Sequence, residues 1–100
     1  MSISVTNTTN DNIIRMRVID RFDYSVHKEF REAYKDSAPG TEFIIDMSQT
    51  SYMDSSALGM LLLLREHLGN DNSKISITGC TAEIKNILEI SKFQNLFNIN

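Results

Sequence analysis

The residues with the most chemistry to offer are Ser55 and Ser56, two adjacent hydroxyls that follow Asp54 and lead straight into Ala57-Leu58-Gly59-Met60-Leu61-Leu62-Leu63-Leu64. A serine hydroxyl acts either as an activated nucleophile or as the acceptor of a group delivered by another protein. The first role needs a base. No G-x-S-x-G elbow surrounds these serines, and His27 and His67 fall on helical faces without a base–orienter arrangement. The chain is therefore expected not to be an enzyme. The second role needs only an accessible hydroxyl. A phosphate on Ser56 would add about −1.5 to −2 charges, and a helix N-terminus with unpaired N–H groups tolerates an anion. Capping by Asp54 or Ser55, worth about 1 kcal/mol, explains one of these polar residues but not the pair.

The helix behind the serines sharpens the reading. At about 100° per residue, Ala57, Leu58, Leu61, Leu62, Leu64 and Leu68 gather on one broad side that can cover a sheet, with Arg65 at its edge. Ser56, Gly59, Met60, Leu63 and His67 fall opposite. Two large apolar residues thus stand where a solitary surface helix shows Lys or Glu. Either the C-terminal segment covers Met60 and Leu63, or they form a docking patch headed by Ser56. In the second case a phosphate at Ser56 would have to be desolvated inside an apolar contact, which switches binding without unfolding the domain. His67 and His27 read as surface histidines, since no second His or Cys shares their faces. No metal or other cofactor is expected, and Gly40 and Gly79 are too isolated to form a phosphate-cradling loop.

The elements that must hold this site follow from periodicity. Ile3 and Val5 alternate with polar residues as in a strand, residues 7–12 form a turn cluster, and Ile14, Met16 and Val18 mark a second strand paired with the first. From Asp23 the period becomes helical, with Val26, Phe30, Ala33 and Tyr34 on one face and Asp23 or Ser25 able to cap. Phe43-Ile44-Ile45 is a short apolar run expected to be covered on both faces. A polar loop over residues 46–55 then leads to a helix from Ser55 or Ser56 to Leu68. Ile75 and Ile77 make another strand, and Thr81 caps a helix with Ile84, Ile87 and Leu88 on its face. Phe93, Leu96 and Phe97 close the chain back onto the core. The order β-β-α-β-α-β-α predicts one α/β domain over residues 1–100, with a mixed, mostly parallel sheet of four to five strands flanked by helices.

Composition narrows the partners. One hundred residues with 41% hydrophobic and 23% charged side chains suit one globular domain. Ten Lys and Arg scattered among thirteen Asp and Glu give a net charge of −3 and no basic stripe, so nucleic acid is not expected. Cys80 stands alone, which leaves no intrachain disulfide. The first residues lack the pattern of a signal peptide, and the apolar run near residues 57–64 is far shorter than a bilayer span of about 20 residues. A cytoplasmic protein that binds proteins or a small ligand, and not membranes, is the expectation.

Asp46-Met47-Ser48 followed by Tyr52-Met53-Asp54-Ser55-Ser56-Ala57-Leu58-Gly59 resembles the signature of STAS domains of the anti-sigma factor antagonist (anti-anti-sigma factor) type, D-L-S followed by F-x-D-S-S-G-L-G. Asp23 after Phe22, and the segment from Leu88 to Phe97, are similar to the same family, so the resemblance covers essentially the whole chain. It implies a bacterial partner switch in signal transduction and transcription regulation. The second serine, Ser56, would be phosphorylated by an anti-sigma factor that is also a serine kinase, and dephosphorylated by a metal-dependent serine phosphatase. The unphosphorylated form would bind and the phosphoserine form release. Asp23 and Asp54 would contribute to partner contact along with Ser55, Gly59, Met60, Leu63 and His67, and Ser55 or Ser51 would be the alternative acceptors. Ala57 replaces the usual glycine, and Asp20-Arg21 stands where many members have a glycine turn. A scaffold or small-ligand sensor of the same fold is the competing reading.

Overall fold

The computed structural model describes residues 2–8 and 12–100. Strands β1 (Ile3–Thr8), β2 (Ile13–Val18), β4 (Glu42–Asp46), β6 (Lys74–Thr78) and β7 (Asn98–Ile99) form one sheet in the order β1-β2-β4-β6-β7. β1 and β2 pair antiparallel, and every other neighbour in this sheet is parallel. Part of the turn expected over residues 7–12 is the end of β1, and the rest of it before Asn12 lies outside the described residues.

Because strand order advances in one direction, right-handed crossovers put α1 (His27–Tyr34), α2 (Ser55–His67) and α3 (Ala82–Ile90) on the same face. The burial pattern agrees. Met16, Val18, Phe43, Ile45, Ile75 and Ile77 are buried. Their alternates Arg15, Arg17, Lys74 and Ser76 are exposed or half-buried. The expectation that Phe43-Ile44-Ile45 is covered on both faces is therefore corrected. Ile44 lies between Arg15 and Ser76 on the open face, in register with both, and is only half-buried. The cause is topology: a strand order without reversal leaves no helix for the second face.

Three short strands were hidden in segments read as loop or closing turn. β3 (Asp20–Phe22) and β5 (Thr50–Met53) pair in parallel as a separate two-stranded ribbon, so the loop expected over 46–55 is partly strand. β2 ends at Val18, and Asp20 adopts a left-handed conformation at φ 69°, where the register shifts between Asp20 and Arg21. Aspartate tolerates that region because its short side chain bonds locally, and here Oδ1 of Asp20 accepts from the Ser51 hydroxyl at 2.6 Å. Asp20 thus serves where many relatives by resemblance use glycine. The third strand is β7, two residues that add the closing segment to the sheet edge. Phe93 and Phe97 are buried as expected, while Leu96 stays partly exposed.

Candidate functional site: the Asp54-Ser55-Ser56 helix start

The ribbon is what aims the serines. Phe22 and Met53 are register partners at its end, so Asp23 and Asp54 leave the paired strands on neighbouring tracks, each at the start of a helical segment. Both cap in the same way. Asp54 Oδ1 accepts from the Ser56 N–H at 3.0 Å and from the Ser56 hydroxyl at 2.5 Å. Asp23 Oδ1 accepts from the Ser25 N–H at 3.0 Å and from the Ser25 hydroxyl. Asp54, and not Ser55, is therefore the cap of α2, and Asp23 caps the single 3-10 turn Tyr24–Val26 that runs into α1.

Ser55 is exposed and Ser56 half-exposed. The Ser56 hydroxyl is oriented by a carboxylate, and neither imidazole bonds to it. His27 Nδ1 donates to the Tyr24 carbonyl at 2.8 Å, and His67 Nε2 donates to the Ser37 carbonyl at 2.9 Å. Among the described residues no group of three or more His, Cys, Asp or Glu could hold a metal ion.

The neighbouring cap, Asp23, is paired with the cation Arg21. The Ser25 hydroxyl first, then the Ser25 N–H and Arg21, hold the Asp23 carboxyl below its ordinary pKa against the opposing effect of burial. Arg21 Nε donates to Asp23 at 3.0 Å and its guanidinium lies over the Tyr52 ring at 4.1 Å. The bond it donates to Asp23 raises the Arg21 pKa further, so this cation is fixed. At the neighbouring strand end the Ser48 N–H lowers the Asp46 pKa, helped by Arg17.

The helix face expected to carry the patch is rotated by about one residue. Met60 is buried in the core at 7% exposure, not outward as expected, whereas Leu62, placed on the sheet side, is 42% exposed. Leu63 is 58% exposed, so the C-terminal segment does not cover it. Packing against α1 explains the turn. His67 meets the Tyr34 ring at 5.2 Å, so the flank that holds Met60 and His67 is closed by α1. On the other flank Arg65 bonds the Leu96 carbonyl at 3.4 Å and Asp71 at 2.8 Å, which leaves Leu62 outside. The outward strip is Ser55, Gly59, Leu62, Leu63 and Glu66. Gly59 would meet nothing within 4 Å if it carried a Cβ, so the helix backbone is bare there.

Of the residues expected at the site, Asp23, Asp54, Ser55, Ser56, Gly59 and Leu63 are on or beside one surface. Met60 lies beneath it, and His67 is held half-buried against α1. Sequence reasoning missed Tyr24, Tyr52 and Leu62, all exposed. Tyr24 and Tyr52 flank the aspartate caps in sequence, and an aromatic at such a loop position was the available signal.

This arrangement of a crossover sheet, a parallel ribbon and a capped Asp-Ser-Ser helix start defines a small mixed α/β domain. The STAS domain family model matches residues 4–100, and the chain belongs to that family. It is 40% identical over 101 residues to a STAS-domain containing protein of Pseudomonas aeruginosa, covering 100% of both chains. To the anti-sigma-B factor antagonist of Staphylococcus aureus it is 26% identical over 102 residues, covering 100% of this chain and 94% of the other. Its fold is that of SpoIIAA, an anti-sigma factor antagonist. The unphosphorylated form superposes with a TM-score of 0.73 at 14% identity, covering 98% of this chain and 86% of that one. The phosphorylated form of the Bacillus protein gives 0.68 at 15% identity, covering 98% and 90%.

Proposed function

We infer that this chain is an anti-sigma factor antagonist-like partner switch in which Ser56 is the phosphoryl acceptor. The unphosphorylated protein binds an anti-sigma factor with serine kinase activity. Phosphorylation at Ser56 releases it, and a metal-dependent serine phosphatase restores binding. The observation that carries this reading is the half-exposed Ser56 hydroxyl, held by Asp54 one helical turn before exposed Gly59 and two before exposed Leu62 and Leu63. Membership of a family whose relatives include a named anti-sigma-B factor antagonist supports the same direction.

The physics of release has two parts. A phosphate at Ser56 removes the hydroxyl proton that bonds Asp54 and places about −1.5 to −2 charges beside that carboxylate. Repulsion turns the phosphate outward, toward the surface a partner must dehydrate. Burying it without a matching cation then costs more than the leucine contacts return. The domain itself keeps its fold, because Ser56 is half-exposed in the first turn of α2, at the edge of the side that buries Ala57, Met60, Leu61 and Leu64. The protein acts as substrate of its modifying enzymes and not as a catalyst.

The test is peptide mass spectrometry of the protein purified from its own cells. Phosphate on Ser56, absent from Ser56→Ala, is the expected result. Modification confined to Ser55 or Ser51, or none at Ser56 in any growth condition, contradicts the assignment.

A further inference from the structure

Away from the serines, a cavity of about 580 Å³ opens between α1 and the second half of α2. That volume lies within the roughly 300–1,000 Å³ of small-molecule sites. Its walls are largely rings, and the rings are pinned. His27 is stacked on Tyr24 with centroids 4.0 Å apart and 9° between planes. Tyr34 meets Phe30 edge-on at 5.7 Å and His67 at 5.2 Å. The bonds to the Tyr24 and Ser37 carbonyls place a donor proton on His27 Nδ1 and on His67 Nε2. His27 Nε2 and His67 Nδ1 are left as acceptors. Burial raises the Tyr34 pKa, which keeps its hydroxyl protonated.

The charges on the walls are uneven. Lys35 is held by Glu32 at 2.8 Å, whereas Arg31 makes no ion pair among the described residues. Glu66 lines the opposite wall. A residue with an uncommitted guanidinium, two histidines and an apolar lip at Leu63 therefore line a single space.

The geometry points to a binding site for a small aromatic monocarboxylic acid that carries a hydroxyl. Its carboxylate takes the Arg31 fork in bidentate fashion. Its ring lies against Leu63 and the aromatic wall, and its hydroxyl donates to a free imidazole nitrogen. Glu66 rejects a second carboxylate by like-charge repulsion. The site does not depend on the role of Ser56. It shares Leu63 and Glu66 with the docking strip, so a bound acid and a bound partner compete for those side chains.

The experiment is an NMR titration of the full ¹⁵N-labelled chain with 4-hydroxybenzoate, phenol and terephthalate, repeated on Arg31→Gln. The expected result is saturable shifts at His27, Arg31, Leu63 and His67 with half-saturation on the order of 1 mM. Arg31→Gln, at an exposed position, should bind about tenfold more weakly. Phenol and terephthalate should also bind more weakly than 4-hydroxybenzoate. No saturable shift at these residues, equal affinity in Arg31→Gln, or terephthalate binding as well as 4-hydroxybenzoate would overturn the assignment.

Discussion

At the scale of single residues, the site combines a well-anchored hydroxyl with an unusually bare helix. Glycine in a helix interior costs about 1 kcal/mol relative to alanine, yet Gly59 sits mid-helix with open space above it. In the proposed switch, that open space lets a partner's backbone come close. Gly59→Ala is expected to raise stability by about 1 kcal/mol in urea denaturation and to weaken partner binding in the same preparation. Gly79 is the opposite case. It holds φ +74°, and a Cβ there would lie 3.0 Å from Ser48 N and Cβ, so Gly79→Ala should lower stability by roughly 1–3 kcal/mol by the same measurement. Both glycines look alike in the sequence. Only the backbone angle and the neighbour separate a surface device from a structural necessity.

At the scale of elements, what was legible and what was not divides by length and by neighbours. The three helices and four of the strands follow from apolar periodicity, and Thr81 caps α3 as read, through its bond from the Ile84 N–H. β3 and β5 are three and four residues long, and Ser51-Tyr52 interrupts any apolar run, so their pairing could not be seen locally. The helical wheel named the composition of α2 correctly but misplaced Met60 and Leu62, because a wheel does not say which flank a neighbouring helix will close. The ribbon and the Asp54 cap together set the direction of Ser56. Asp54→Ala should cost about 1 kcal/mol in thermal or chemical unfolding and also slow phosphorylation of Ser56 by freeing its hydroxyl. Unchanged stability would show that the two Asp54 bonds carry no weight. Leu62→Glu, by contrast, should leave stability within about 0.5 kcal/mol because the side chain is already outside, while reducing partner affinity.

At the scale of the whole molecule, the sheet has one covered face and one open face, and the proposed phosphoryl acceptor Ser56 lies on neither. It sits at the end of the ribbon, on the helical layer, where a charge can be added without touching the core. Among the described residues no helix is long and apolar enough to cross a membrane. The acid limit of the fold follows from its carboxylates. Hydrogen bonds and neighbouring cations lower the folded pKa of Asp23, Glu32 and Asp46. A lowered folded value means that stability is present above the unfolded pKa of about 4 and is lost as pH falls through the folded values. The melting temperature is therefore expected to decline as pH drops below about 4 in calorimetry, and to decline less in Asp46→Ala, which has one fewer bonded carboxylate.

The central claim is that one phosphate at Ser56 closes a docking surface without disturbing the fold. Its most direct measurement is the affinity of the kinase-type anti-sigma partner for the unmodified chain and for the same chain phosphorylated on Ser56, by calorimetry, with circular dichroism on both. The account predicts at least a tenfold loss of affinity, about 1.4 kcal/mol, between two forms with the same spectrum. Equal affinity for the two forms, or a loss accompanied by unfolding, would contradict it.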